Sequence, residues 1–100
     1  MSSEQLIAIE VFCTHEGVEI SFVEALRERG LIEVIIQEDA RYIRPDALPR
    51  VEKLARMHYD LEINLEGLEA ISHLLERMEE MQEEMRTLQQ RLRLHHTDEE

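Results

Sequence analysis

The sequence has little of what small secreted or membrane proteins rely on. Its one cysteine, Cys13, excludes an internal disulfide and fits a reducing compartment. No stretch without Asp, Glu, Lys or Arg exceeds six residues, from Ala70 to Leu75, whereas ~20 apolar residues are needed to cross a bilayer. The N-terminus lacks the basic-then-apolar order of a signal peptide. We therefore expect a cytoplasmic protein without a membrane partner.

Motifs for catalysis and metal binding are also missing. There is no glycine-rich phosphate loop and no Ser-His-Asp ordering, so we expect no enzyme and no cofactor. Cys13 lacks a second thiol or a CxxC motif and is expected to be a small buried side chain. It lies two residues from His15 on a predicted helix, so the two side chains point apart. The remaining histidines show no ligand spacing: His58, His73, His95 and His96. We expect no metal site. His58 is expected to pack at a helix end and bond backbone, and the last two histidines to lie at a fraying terminus.

The 100 residues allow one domain, or a small head with an appendage, which buries only a modest share of its surface and is expected to need a partner. The net charge of −12 opposes nonspecific binding to phosphates or anionic membranes. Residues 1–40 carry −7, residues 41–59 carry +3 and residues 60–100 carry −8. One basic segment thus lies between two acidic ones. It is either a residual phosphate-binding surface or a balance to its acidic neighbours.

The stretch GVEISFVEALRERGLIE, residues 17 to 33, resembles the second half of a helix-turn-helix. Gly17 can supply the tight turn, and Gly30 can close the helix. Apolar residues from Ile20 onward recur at helical spacing, with Glu19 or Ser21 near the helix start. This is the outline of a DNA-reading helix, but its acidic residues outnumber its arginines.

The other elements of the head follow from periodicity and turn residues. Apolar spacing predicts a first helix from about Ser3 or Leu6 to His15. The β-branched run at residues 32–36 predicts a strand, which residues 41–43 can pair with after the polar turn QEDA. A third helix is predicted to start at Pro45 and Asp46 and to end near Tyr59.

The last predicted helix has Asn64 as its N-cap, with Ile63 stapled onto Leu68. Seven apolar residues then recur at alternating steps of three and four and form a heptad seam: Ile71, Leu74, Met78, Met81, Met85, Leu88 and Leu92. A helix from Asn64 to Leu94 is ~45 Å long, which exceeds the width of the head, so its distal part requires another apolar surface. We predict a dimeric coiled coil over residues 78–94. The flanking charges leave its parallel or antiparallel direction open.

The fold class is therefore predicted as mainly α, with a winged helix-turn-helix head, a short β-hairpin and a long C-terminal dimerisation helix. Residues 1–62 are assigned to the head. Residues 63–100 are assigned to the long helix, with the last few residues frayed.

This order of elements resembles the MerR-type winged-helix regulators over nearly the whole chain. The run HYDLEINLEGLEAI, residues 58 to 71, is similar to a segment of the CbpM chaperone modulators. The residues that carry the similarity share the spacing of that family: His58, Leu61, Ile63, Asn64, Leu65 and Gly67. The segment EVFCTHEGVEISFVEAL, residues 10 to 26, supports the same resemblance. It implies a small MerR-like protein that binds the J-domain of a DnaJ-type co-chaperone, of the CbpA kind, and inhibits it.

The distribution of charge explains why such a protein would bind another protein rather than DNA. DNA-reading members of the wider fold carry Arg and Tyr on the second helix and an Arg-Tyr pair on the wing, and this chain keeps only the pair Arg41 and Tyr42. Carboxylates that face a duplex are repelled by its phosphates and lose hydration, and both effects weaken DNA binding. The same carboxylates attract a basic protein partner. The acidic residues expected to contact that partner lie on the second helix and around the start of the last: Glu19, Glu24, Glu28, Glu62, Glu66 and Glu69.

Two other interpretations remain open. The chain could be a MerR-family transcription regulator that binds a palindromic operator through four arginines: Arg27, Arg29, Arg41 and Arg44. It could also be a structural dimer whose acidic second helix is a solvated face without a partner.

Overall fold

The computed structural model describes residues 5–98, with side chains described up to residue 95. Its elements are, in chain order, β1 (Ile7–Ala8), α1 (Ile9–Glu16), α2 (Ile20–Glu28), β2 (Ile35–Gln37), β3 (Ala40–Ile43), a 3₁₀ turn (Pro45–Ala47), α3 (Leu48–Tyr59) and α4 (Leu65–Asp98). The first of two compact units ends at Glu69 and the second begins at Ala70. The predicted fold class is confirmed: mainly helical, with a small antiparallel sheet and a long C-terminal helix.

Gly17 lies in the turn of the helix-turn-helix and Gly30 follows its second helix, as predicted. Gly17 has φ +68° and donates its N–H to the carbonyl of Cys13, which ends α1. Gly30 has φ +75° and donates its N–H to the Arg27 carbonyl, while Leu31 donates to Leu26, both at 2.9 Å. These paired bonds form a Schellman motif, whose left-handed residue is usually glycine.

The β-hairpin is the wing, and it is completed by a strand that the periodicity did not predict. β2 and β3 pair antiparallel through a two-residue turn in which Glu38 and Asp39 both have positive φ. β1 pairs with the other edge of β3, with Ile7 opposite Ile43, so the sheet order is β1-β3-β2. Because residues 7 and 8 bond to β3, α1 begins only at Ile9.

Two predicted boundaries are therefore wrong. The first helix does not begin at Leu6, which precedes β1; Ser3, the other predicted start, lies outside the described residues. The strand predicted over residues 32–36 begins only at Ile35. Ile32 is instead buried in the core, where its apolar side chain packs without strand pairing.

The third helix and the start of the fourth agree with the prediction. Pro45 begins the 3₁₀ turn that leads into α3, and α3 ends at Tyr59. Asn64 caps α4, because its Oδ1 accepts the N–H of Gly67 at 2.8 Å. α4 continues to Asp98 instead of ending at Leu94, so His95 and His96 are helical. Residues 99 and 100, on which predicted fraying also falls, are outside the described range.

The core of the first unit collects one apolar face from each of its main elements. The largest fully buried side chains come from α2, β3, α3 and the first turn of α4: Val23, Leu26, Ile43, Val51 and Leu68. None of the helices in the described part of the chain combines the length and apolar character that crossing a bilayer requires.

Candidate partner-binding surface

An aromatic cluster joins the start of α2 to the end of α3. The rings of Phe22 and His58 stack with centroids 4.6 Å apart, and Tyr59 meets them edge-on at 5.3 and 4.9 Å. The Tyr59 hydroxyl accepts the N–H of Glu19 at 3.2 Å. Tyr59 is 42% exposed, so these contacts hold an aromatic ring in a fixed orientation at the surface.

The loop after α3 is shaped by local bonds. His58 Nδ1 donates to the carbonyl of Ile63 at 2.8 Å, which confirms the predicted role of this histidine as a backbone-bonded residue at a helix end. A β-carbon on Gly67 would lie 2.7 Å from Cγ2 of Ile63, so any other residue there would push the Ile63 side chain aside. Leu61 is a large apolar side chain that is nevertheless 66% exposed, and Glu62 follows it with φ +58°. Ile63 of the same loop packs against the core, whereas Leu61 does not.

The six acidic residues predicted to bind a partner fall into two groups. Glu24, Glu66 and Glu69 form ion pairs with arginines of the same chain. The other three are exposed and form no ion pair within residues 5–98: Glu19, Glu28 and Glu62. Half of the predicted carboxylates are therefore available to a partner without breaking an internal pair.

The four arginines predicted to bind DNA all pair with carboxylates. Glu24, only 19% exposed, accepts from Arg27 at 3.1 Å and also pairs with Arg41, which links α2 to the wing. Arg29 bonds Glu69 at 3.0 Å and lies 3.7 Å from Glu66. Arg44 and Glu33 form a longer, exposed pair at 3.9 Å. The cations of the second helix and wing are thus partly neutralised within the chain.

A groove of about 400 Å³ lies between the end of α1 and the last turns of α3, and we call it the α1–α3 groove. Its lining residues come from these two helices and the turn after α1: Glu16, Gly17, Val18, Glu52, Ala55, Arg56, Tyr59 and Asp60. Val18 and Ala55 are buried and give it an apolar lining. Three carboxylates face one guanidinium, so its formal charge is −2.

The carboxylates of the α1–α3 groove have no arginine or lysine partner in the described part of the chain. Among the described residues, Glu16 pairs only with the exposed imidazole of His15, at 3.3 Å. Glu52 and Asp60 form no ion pair within residues 5–98. The groove carboxylates therefore outnumber its one cation, whereas Glu24, Glu66 and Glu69 each pair with an arginine.

The second compact unit presents the predicted seam on one face of α4. Ile71 is half-buried, and the six seam residues from Leu74 to Leu92 are between 52 and 69% exposed. Off the seam, Arg86 pairs with Glu83 at 3.2 Å and Arg77 lies 3.9 Å from Glu80, which supports the helix. An exposed apolar row of this length is typical of an interaction surface.

Burial raises the pKa of the Cys13 thiol, which makes it less reactive. The side chain is buried in the core, as predicted. Among the residues the structure describes, no group of three or more His, Cys, Asp or Glu side chains is arranged to hold a metal ion.

Periodicity did not identify the α1–α3 groove. The sequence predicts Tyr59 only as the end of the third helix, and Leu61 enters only through the resemblance to CbpM proteins, so neither indicates a groove. Glu52 and Asp60 lie in or beside the basic segment and were masked by its positive sum. The signal in the sequence that could have found them is the pair of large apolar residues, Tyr59 and Leu61, on either side of Asp60 at a helix end.

A family model described as MerR HTH family regulatory protein matches residues 7–90. No curated protein and no solved structure matches the chain. The matched residues include the helix-turn-helix, the wing, α3 and most of α4, in the order that the structure has them. The chain belongs to the MerR HTH family of regulatory proteins.

Proposed function

We propose that this chain is a homodimeric chaperone modulator of the CbpM kind, which binds the J-domain of a DnaJ/CbpA-type co-chaperone and inhibits it. One observation carries the proposal: the arginines on the second helix and the wing are paired with carboxylates of the same chain. The elements that would approach a duplex therefore offer few free cations.

Electrostatics favour a basic protein over a DNA duplex as the partner of this surface. A duplex would have to draw Arg27 and Arg41 from Glu24, and it would leave that carboxylate facing phosphates. The gain from counterion release would be offset by repulsion and desolvation. A basic protein surface meets the opposite balance, because the unpaired carboxylates attract it and raise its association rate.

The identity of the partner rests on the resemblance of the segments at residues 10–26 and 58–71 to CbpM proteins. The three carboxylates without an internal ion pair are the first candidate contacts: Glu19, Glu28 and Glu62. The remaining three, Glu24, Glu66 and Glu69, would contribute only if the arginines that hold them turn away.

Partner binding and dimerisation would be carried out by two different segments of the chain. Residues 1–62 would dock the partner, and residues 63–100 would form the dimer through the seam on α4. Exposed leucine and methionine side chains at heptad spacing support this second role. In this proposal the protein acts in the cytoplasm, without a cofactor, metal or chemical step.

Calorimetric titration with an isolated J-domain from the same organism, at physiological salt, tests the proposal. A saturable isotherm near one J-domain per chain is expected. Glu19→Lys combined with Glu28→Lys should weaken binding, since each change replaces attraction by repulsion. The control is Glu33→Lys combined with Asp46→Lys, which adds the same charge elsewhere in the first unit. Absence of any heat and binding in the unmodified protein would reject the J-domain as partner.

The family match supports a second candidate, a DNA-binding transcription regulator. Arg27, Arg29, Arg41 and Arg44 would then exchange their carboxylate partners for phosphates or base edges. Binding to a pool of genomic fragments should fall steeply with salt, because each phosphate contact releases counterions. A flat response with no retained fragment at low salt would exclude this candidate.

A further inference from the structure

We propose that the α1–α3 groove, extended by Leu61, is the surface on which a basic amphipathic helix of a partner protein docks. This inference deepens the proposed function and rests on it for the choice of the J-domain as a probe. It places a groove beside α3, next to Glu19 at the start of α2, and so extends the acidic surface of α2.

The groove has the form that an incoming side chain needs. Its buried residues Val18 and Ala55 offer apolar contact, and Gly17 has no atoms within 4 Å of an added β-carbon, so that side of the groove is open. Tyr59 forms a further wall. Its ring is oriented by Phe22 and His58 and by the bond from the Glu19 N–H, so little ordering is required on binding.

The charge of the groove selects a cation. Arg56 is the one cation that lines the groove beside the carboxylates of Glu16, Glu52 and Asp60. None of these carboxylates forms an ion pair with an arginine or lysine in the described range. A lysine or arginine can pack its aliphatic stem on Ala55 while its charged end reaches these carboxylates. The face of the Tyr59 ring adds a cation–π attraction.

Leu61 supplies the apolar part of the surface. It lies two residues beyond Tyr59 and is 66% exposed. Glu62, directly after it, adopts a left-handed backbone conformation that a residue with a β-carbon rarely takes, and such strain is found at functional positions. A partner with one cation and one apolar residue on the same face would meet both parts of this surface.

The occupant we infer is a helix. The lining consists of helix residues and one turn, with no strand edge to pair with an extended segment. An incoming segment must therefore satisfy its own backbone hydrogen bonds, as a helix does. On such a helix, residues three or four apart can place a lysine in the groove and a leucine against Leu61.

The test is an NMR titration of the full-length, uniformly ¹⁵N-labelled protein with two separate probes. One probe is the isolated J-domain, and the other is a synthetic helical peptide of repeating Leu-Lys-Lys-Leu units. We expect both to shift the backbone amides of Gly17, Val18, Ala55 and Tyr59 more than those of the wing. Glu52→Lys combined with Asp60→Lys should weaken J-domain binding about tenfold or more.

Two controls and one further variant make the result specific to the groove. Glu33→Lys combined with Asp46→Lys adds the same net charge outside the groove and should change affinity by less than about twofold, through long-range attraction alone. Leu61→Ser, at an exposed position, should weaken binding without changing the circular dichroism of the protein. A dilution series without either probe, followed through the groove amides, shows whether a second copy of this chain occupies the groove. That result would overturn the inference.

The outcomes separate this inference from the proposed function. If the J-domain binds with unchanged affinity to the groove variant, the function stands and the docking site is wrong. If the J-domain does not bind but the peptide shifts the groove amides, the docking site stands and the J-domain is wrong. If neither probe shifts these amides, the docking site is wrong; if the J-domain also shifts no amide elsewhere in the protein, the proposed function is wrong as well.

Discussion

The dimer seam offers the sharpest test of the architecture. We expect Met85→Asp combined with Leu88→Asp to convert the proposed dimer into monomers. These side chains lie at the centre of the distal seam and are 58 and 56% exposed in the single chain. A partner helix would cover most of that area, whereas aspartates would bring four like charges together across it.

The expected loss of dimer stability can be worked out from the exposed fractions of these side chains. Full burial of a leucine or methionine side chain stabilises by about 1.5–3 kcal/mol, so covering a little over half of one contributes about 1–1.5 kcal/mol. The dimer contains four such side chains, and their loss costs about 4–6 kcal/mol. At about 1.4 kcal/mol per tenfold, the dissociation constant should rise by roughly a thousandfold or more.

The assay is sedimentation equilibrium over a range of protein concentrations, with circular dichroism to follow helix content. The control variant carries Thr87→Asp and Gln90→Asp, which add the same charge to the same helix away from the seam. It should remain dimeric. If the seam variant also remains dimeric at micromolar concentration, the interface lies elsewhere and the coiled-coil interpretation is refuted.

Three further predictions concern local features of the fold. Asn64→Ala should lower the free energy of unfolding by about 1 kcal/mol because it removes the cap of α4, and thermal melts at fixed concentration should register it. Gly30→Ala should cost about 1 kcal/mol, because a β-carbon is disfavoured at φ +75° although nothing lies within 4 Å of it. Cys13 should react with iodoacetamide much more slowly in the folded than in the unfolded protein, since burial raises its thiol pKa. For the same reason the contribution of the neutral thiol to stability is complete below the pKa of the unfolded thiol, and it is lost as the pH rises through the folded pKa.

Each of these predictions has a matched comparison. Asn64→Asp keeps a side-chain acceptor and should stay close to the unmodified protein. Gly30→Asn should recover part of the loss, because asparagine tolerates the left-handed region better than alanine. An equal alkylation rate in the presence and absence of denaturant would contradict the burial of Cys13. Melting temperatures that are unchanged in the alanine variants would contradict the two capping assignments.

Local signals in the sequence anticipated much of the helical fold. The glycine pair at 17 and 30, the cap at Asn64 and the seam spacing act over one to four residues, so their effects do not depend on distant parts of the chain. The strand at Ile7 and Ala8 was not foreseen, because it forms only when β3 returns beside it, about 35 residues later. The helical spacing around it therefore gave a helix start that was too early.

The sequence by itself determined the helix boundaries set by caps, the apolar row on α4 and the acidic balance of the chain. Tertiary structure decided which charges are available. Glu24 meets Arg41 across 17 residues, and Arg29 meets Glu69 across 40, so these pairs exist only after the chain folds back. The bond between Glu19 and Tyr59 also spans 40 residues and orients the ring beside the α1–α3 groove. Periodicity and capping are local properties of the backbone, whereas ion pairing and groove shape depend on which distant segments meet.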